Sequence, residues 1–322
     1  MTQNLVVVEK ELLNQIMATD VFIKIADWHF SKEEITKDIE EAFDEMRSFE
    51  KRFSRFIEHN ELESFNNSSG DLTLSNELFD VLFLALAYYK KTNGIFNISL
   101  LNTLKDEGYQ VSKNQGFVDP NFNSDKVKNK YLSNLEDLKI LDSSQKVVYK
   151  PKDLQIDLGG IGKGFIVQKV SDNLKQKYAN FVVDAGGDMF VSGTNIEEKY
   201  EFWAIGVEHP KKAEENLEIL TVSDKGIATS GVNKRFWQYK GELKNHLIDP
   251  KVNKSVENSL ISVTVVANSA VEADIYAKAL LIMGLDIAAN FSRMNNIAAL
   301  FVDKALKVYN TAQMEKYVFN ES

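Results

Sequence analysis

The chain has 322 residues, a formal charge of −9 and no cysteine. Without cysteine there are no disulfides, thiolate metal sites, cysteine nucleophiles or cysteine-linked lipid anchors. The acidic balance argues against a protein that coats nucleic acid phosphates. With 44% hydrophobic residues and only 4 prolines, the chain can bury a sizeable core and is not a low-complexity polymer. The four histidines (His29, His59, His209 and His246) are widely spaced. A bound metal would therefore need carboxylate and carbonyl oxygens, which suit hard ions such as magnesium.

A membrane-spanning helix needs about 20 apolar residues. The longest apolar run in the first half, Val81 to Tyr89, falls well short. The start of the chain, Met1 to Val8, runs directly into Glu9, Lys10 and Glu11, without the basic and then apolar order of a signal peptide. As it stands the chain reads as cytoplasmic; an export leader trimmed away earlier would leave the same sequence.

Thr19 to Asp27 alternates apolar and polar residues, which predicts a strand. Ser31 and Glu34 form a capping box. Behind it Ile35, Ile39, Phe43, Met46, Phe49 and Phe53 recur at helical spacing. Ser75 caps a second predicted helix through Leu78, Leu82, Ala85 and Tyr89, with Gly94 as its stop. Residues 102–145 are polar and read as a surface excursion. From residue 147 short strand-like runs follow: Val147–Lys150, Phe181–Val183, Met189–Ser192, Phe202–Val207, Ile261–Val266 and Ile297–Val302. Between them lie a glycine-rich turn with a helix, Gly159 to Lys175, and a helix opening at Ser269 with Glu272 as capping box and ending at Gly284. Irregular alternation of strands and helices predicts α+β, with mixed sheets and packed helices. The expectation is one domain over 1–322, with two subdomains at about 1–146 and 147–322.

Several segments carry polar chemistry. In Asp157-Leu-Gly-Gly-Ile-Gly-Lys-Gly164 the glycines and the helix that follows suit an anion. The spacing fits neither a Walker A loop nor the dinucleotide fingerprint, so a structural turn and a phosphate cradle both stay open. Asp184-Ala-Gly-Gly-Asp188 reads as a tight glycine turn. His246 beside Asp249 reads first as a structural hydrogen-bonded pair. Asp274 and Lys278 are four apart on one helix face, by default a solvated ion pair, although Ala273, Ala277, Ala279, Leu280 and Leu281 around them are apolar.

The order of these motifs is more telling than any one of them. DLGGIGKG, DAGGD, ATSG, HLIDP and SVTVVANSAVEADIYAKAL, preceded by SRFIEHNELESFN (Ser54 to Asn66) and NGIFN (Asn93 to Asn97), resemble the FAD:protein FMN transferase (ApbE-like) family over roughly residues 17–310. The resemblance implies a flavin-binding α+β fold that holds FAD with magnesium, moves FMN to a threonine of a target flavoprotein and releases AMP. Asp157 and Lys163 match its FAD-contacting acid and lysine. Ile95, Phe96 and Asn97 match its flavin-contacting triplet, and Met17, Phe56 and Ile248 match further FAD-lining positions. Gly160, through its carbonyl, and Asp274 match the metal-binding positions. FAD and the target protein are the implied partners, with no nucleic acid and no membrane span.

This chain departs from the pattern in three places. Lys278 stands where the family has a metal-binding threonine, and a protonated ammonium has no lone pair to offer. Asn97 replaces an aspartate, and Val232 follows Ser230-Gly231 where a polar residue is usual. The candidate catalytic groups are His246, as base toward the acceptor hydroxyl, with Asp274 and Lys278. Magnesium is expected to be weakly held or displaced by Lys278. An FAD pyrophosphatase giving FMN and AMP, or a non-catalytic flavin-binding protein, are the alternatives.

Overall fold

The computed structural model describes residues 4–109, 134–212, 215–232 and 236–319. In chain order its elements begin with β1 (Val6–Ile16), β2 (Thr19–Asp27), α1 (Lys32–Phe53), α2 (Glu61–Asn67), β3 (Gly70–Thr73), α3 (Asn76–Lys91) and α4 (Leu101–Asp106). They continue with β4 (Lys139–Asp142), β5 (Val147–Lys150), α5 (Gly162–Lys175), β6 (Asn180–Ala185), β7 (Asp188–Ser192), β8 (Trp203–Glu208), β9 (Asn216–Val222) and β10 (Lys225–Gly231). The last are β11 (Phe236–Tyr239), β12 (Glu242–Asn245), β13 (Ile248–Asp249), β14 (Lys254–Ser255), β15 (Leu260–Ala267), α6 (Ala270–Met283), α7 (Leu285–Met294), β16 (Ala298–Asp303) and β17 (Val308–Asn310). The fold is α+β, as predicted. Among the described residues no helix is long and apolar enough to cross a membrane.

The chain forms two compact units: Met1–Glu50, Lys163–Gly231 and Ser259–Ser322 make the first, Lys51–Gly162 and Val232–Asn258 the second. Both draw on chain from either side of residue 146, so no single cut in sequence separates them.

The first unit is built on an eight-stranded sheet in the order β1-β2-β6-β7-β10-β15-β16-β17, with antiparallel neighbours throughout. β15 is buried at every position but its last, because it lies inside the sheet and under α6. Helix α1 starts at the predicted capping box: Glu34 N–H donates to Ser31 Oγ, and Ser31 N–H to Glu34 Oε2 at 2.8 Å. Its six predicted apolar positions are all buried. Each such side chain contributes about 1.5–3 kcal/mol.

Two tight turns mark one end of this sheet. β6 and β7 join through Gly186 and Gly187, with φ of 67° and 90°, the left-handed pair that a two-residue hairpin requires. β1 and β2 join through Met17 and Ala18, with φ of 53° and 52°. Here side-chain-bearing residues take the same conformation, at about 1–2 kcal/mol each. The two tips touch, since a Cβ on Gly186 would fall 2.0 Å from Thr19 Oγ1.

α6 has ten buried residues and no solvent face. It is capped by Ser269 Oγ, which accepts from Glu272 N–H at 3.2 Å, and it stops at Gly284. Two glycines let it sit where it does. A Cβ on Gly226 would lie 2.2 Å from the Ser269 carbonyl carbon, and one on Gly164 would lie 2.7 Å from Asp274 Cβ and 2.8 Å from Val271 Cα.

The second unit holds a three-stranded sheet, β3-β5-β4, and two small hairpins, β11–β12 and β13–β14. α3 opens on Ser75, whose Oγ accepts from Leu78 N–H, and closes on Gly94, whose N–H donates to Tyr89 O at 2.8 Å. Asn66 acts as a strand edge: its side chain donates to Ile156 O and accepts from Ile156 N–H, at 2.9 and 2.8 Å. Lys150 is fully buried, its ammonium donating to Ser68 O at 2.7 Å, and burial lowers its pKa.

Three expectations need correction. β1 forms from residues in which no strand was predicted, because its apolar and polar residues come in short blocks (Val6 to Val8, then Glu9 to Glu11) instead of alternating. The 102–145 stretch is not all surface excursion. Leu104 and Tyr109 join a buried cluster with Trp237 and Ile248, Leu135 is buried, and β4 follows, while 110–133 lie outside the described residues. Asp274 and Lys278 are not a solvated pair, since their side chains are 1% and 12% exposed.

Gly164→Ala tests the α5–α6 contact. Alanine ordinarily improves a helix interior by up to about 1 kcal/mol. Here its Cβ meets backbone that cannot give way. Urea unfolding is expected to show a net loss of about 1–3 kcal/mol, the scale of overpacking.

Candidate active site

Each unit carries its own cluster of the residues singled out above. In the first unit, α5 begins at Gly162 and puts Lys163 and Gly164 in its first turn. The Lys163 ammonium donates to Asp188 and, at 3.4 Å, to Ala185 O. Asp188 is 3% exposed; it opens β7 directly after the Gly186-Gly187 turn. The DAGGD segment is therefore a tight turn, as its glycines suggest, and also the holder of Lys163. Met17 is half-buried at the neighbouring hairpin tip.

Asp274 lies within α6 with both carboxylate oxygens engaged. Gly164 N–H donates to Oδ2 at 3.1 Å, and the Lys278 ammonium donates to Oδ1. Thus one first-turn amide of α5, a natural anion donor, is already taken by the protein's own carboxylate.

In the second unit, Asp157 Oδ1 meets Arg55 Nε at 3.2 Å, and Oδ2 accepts from Gly159 N–H at 3.2 Å. The Asp157 N–H donates to Ile98 O at 2.8 Å, which ties this acid to the end of the Ile95–Phe96–Asn97 triplet. Ile95 and Phe96 are buried. Asn97 Oδ1 accepts from Ser99 N–H and Ser99 Oγ at 2.8 and 2.6 Å. An aspartate could accept the same pair, so the change at 97 preserves the turn. Phe56 and Ile248 meet in one apolar cluster with Leu104, Tyr109 and Trp237. Gly160 is half-buried in the turn before α5, and His246 is half-buried after β12. Asp249 caps its own turn, accepting from Lys251 N–H at 2.8 Å. A cavity of about 310 Å³ adjoins Asn97 and is lined by Tyr89, Asn93, Asn134, Lys251 and Asn253.

Arg55 is a residue that the motif reading passed over. Its side chain is 7% exposed. The guanidinium lies over the Phe56 and Tyr109 rings, 4.3 and 4.5 Å from their centroids, and Nη1 donates to Tyr109 O at 3.0 Å. Tyr109 in turn stacks on Trp237 at 4.9 Å. Nη2 is buried without a partner among the described residues. Burial and then the Arg55 charge lower the pKa of neighbouring Lys105, with Asp157 pulling the other way. The sequence signal was an arginine flanked by two aromatic residues, Phe53 and Phe56, in a mostly charged and polar segment.

A divalent cation does not fit Asp274 as it stands. Its oxygens are filled by an amide and an ammonium, and the next turn of the helix offers lysine instead of an oxygen ligand. Among the described residues no group of three or more His, Asp or Glu is arranged to hold a metal.

The fold is that of known ApbE structures. The chain superposes on the ApbE protein of Thermotoga maritima with a TM-score of 0.84 at 20% identity, covering 97% of this chain and 100% of that one. The FAD:protein FMN transferase of Buchnera aphidicola is 28% identical over 269 residues, 81% of this chain and 77% of the relative. That of Vibrio cholerae is 27% identical over 303 residues, 91% of this chain and 86% of the relative. The ApbE family model matches residues 17–301. The chain belongs to the ApbE family.

Arg55→Leu should leave Asp157 with the Gly159 amide but without its guanidinium partner. Removing one partner of a buried pair costs about 3–5 kcal/mol. Denaturant unfolding is expected to show a loss on that scale, with partial recovery when Asp157→Asn is added. An unchanged midpoint in the single variant would remove the pair from the stability of the second unit.

Proposed function

We propose that this chain transfers the FMN half of FAD to a threonine hydroxyl of a target flavoprotein and releases AMP. Family membership over residues 17–301 carries the reading. It is supported by the gathering of Phe56 with Ile248, and of Asp157 with the 95–97 triplet, in the second unit.

The chemistry asks little covalent work of the protein. The threonine oxygen attacks the FMN-side phosphorus and forms a phosphoester bond; the pyrophosphate P–O bond breaks, and AMP leaves with its electron pair. His246 takes the hydroxyl proton. The protein's share is positioning and neutralising charge on the phosphate oxygens. Lys163 supplies a point charge, held in place by Asp188. Met17, Phe56, Ile95, Phe96 and Ile248 offer apolar contact to FAD, and Asn97 and Asp157 offer polar contact.

One incubation tests this. The protein is mixed with FAD and a threonine-bearing target, and products are followed by intact mass and nucleotide chromatography. The expected result is a target mass increased by one FMN, with AMP released. FMN and AMP without a mass gain would make the chain an FAD hydrolase, and unchanged bound FAD would make it a binding protein. Lys163→Ala is expected to weaken FAD binding by about 1–3 kcal/mol, the scale of losing a charged hydrogen-bond partner.

A further inference from the structure

We propose that this chain uses its own Lys278 ammonium in place of a divalent cation beside Asp274, and that it binds and turns over FAD without magnesium. The inference rests on the flavin-transfer reading above and adds the identity of the cation.

Four observations carry it. First, the Lys278 ammonium donates to Asp274 Oδ1, so the position a metal would take on that oxygen is filled by a cation. Helix geometry makes this the natural resting place. Side chains lean toward the helix N-terminus, so a long lysine side chain at i+4 reaches back over residue i. Second, the remaining oxygen, Oδ2, is committed to Gly164 N–H at 3.1 Å, so bidentate metal binding would break the contact that seats α5 on α6.

Third, the pair is enclosed. The Asp274 side chain is 1% exposed and the Lys278 side chain 12%, and Ala270, Val271, Ala273, Ile275 and Ala277 on the same helix are buried around them. A magnesium ion gives up its waters reluctantly and keeps several of them in most protein sites. Fourth, among the described residues no group of three or more carboxylates or histidines is arranged to hold a metal ion.

Competition favours the lysine. The ammonium is tethered one helical turn from the carboxylate, so its effective concentration there exceeds that of a free ion. Carboxylate and ammonium sum to zero charge, which removes most of the attraction a dication would feel. The ammonium thus stands in the metal's place as a covalently held cation that needs no supply of free ion.

FAD binding is measured by flavin fluorescence in EDTA and in excess magnesium chloride, and AMP release is followed in the same two media. For the wild type both quantities are expected to agree between media within about twofold. Lys278→Thr, which removes the ammonium and supplies a hydroxyl oxygen, is expected to bind FAD at least about tenfold more tightly with magnesium than in EDTA. Circular dichroism establishes whether that variant folds; where it does not, the wild-type comparison decides alone. Wild-type FAD binding that magnesium strengthens about tenfold or more overturns the inference while leaving the flavin-transfer reading intact. Absence of FAD binding in both media overturns that reading and the inference with it.

Discussion

The carboxylate of Asp274, shut away from water between the Gly164 amide and the Lys278 ammonium, is the constraint on which much of the first unit depends. A charge buried to this degree is tolerable only when paired and hydrogen-bonded. Meeting that demand fixes three things together. The first turn of α5 must approach α6 closely enough to donate an amide. Residue 164 must be glycine for that approach to be possible. The helix must also carry a cation one turn further along. α6 can then be apolar on every other side and fill the space over β10 and β15.

The same device recurs. Asp188 is paired with Lys163 in the first unit, and Asp157 with Arg55 in the second. Asp157, Asp188 and Asp274, one acid from each of the DLGGIGKG, DAGGD and EADIYAK motifs, thus each have a cation of the chain itself as partner. These pairs hold charged groups in set positions before any substrate arrives, which suits chemistry that works by orientation and charge neutralisation. Arg55 keeps one buried N–H without a partner among the described residues, and Lys163 is 19% exposed. Both retain donor capacity beyond their internal pairs.

Local signals in the sequence read out well. Ser31, Ser75 and Ser269 cap helices because each sits just before an apolar run of helical period, and the capping bonds form as that pattern requires. The central strands follow their apolar runs. What the sequence hides is long-range pairing. Nothing in the spacing of Asp274 and Lys278 tells a buried pair from a solvated one, because burial is imposed by β10, β15 and α5, which are distant in sequence. Asp188 reads as the far end of a glycine turn until the fold brings Lys163 to it. Arg55 gains meaning only when Tyr109 and Asp157 close around it. The strand β1 escapes because its outer half faces water and its pattern blurs into charged residues. Gly164 looks like part of a phosphate loop, whereas its missing Cβ answers a packing need.

Manganese carries the charge and oxygen preference of magnesium and scatters X-rays anomalously, so it locates the cation beside Asp274 directly. Crystals of the wild-type chain grown with FAD and manganese chloride would be measured at the manganese edge. The account predicts no anomalous peak at Asp274, with the Lys278 ammonium within hydrogen-bond distance of Oδ1. An anomalous peak bonded to an Asp274 oxygen, with the lysine turned away, would contradict it.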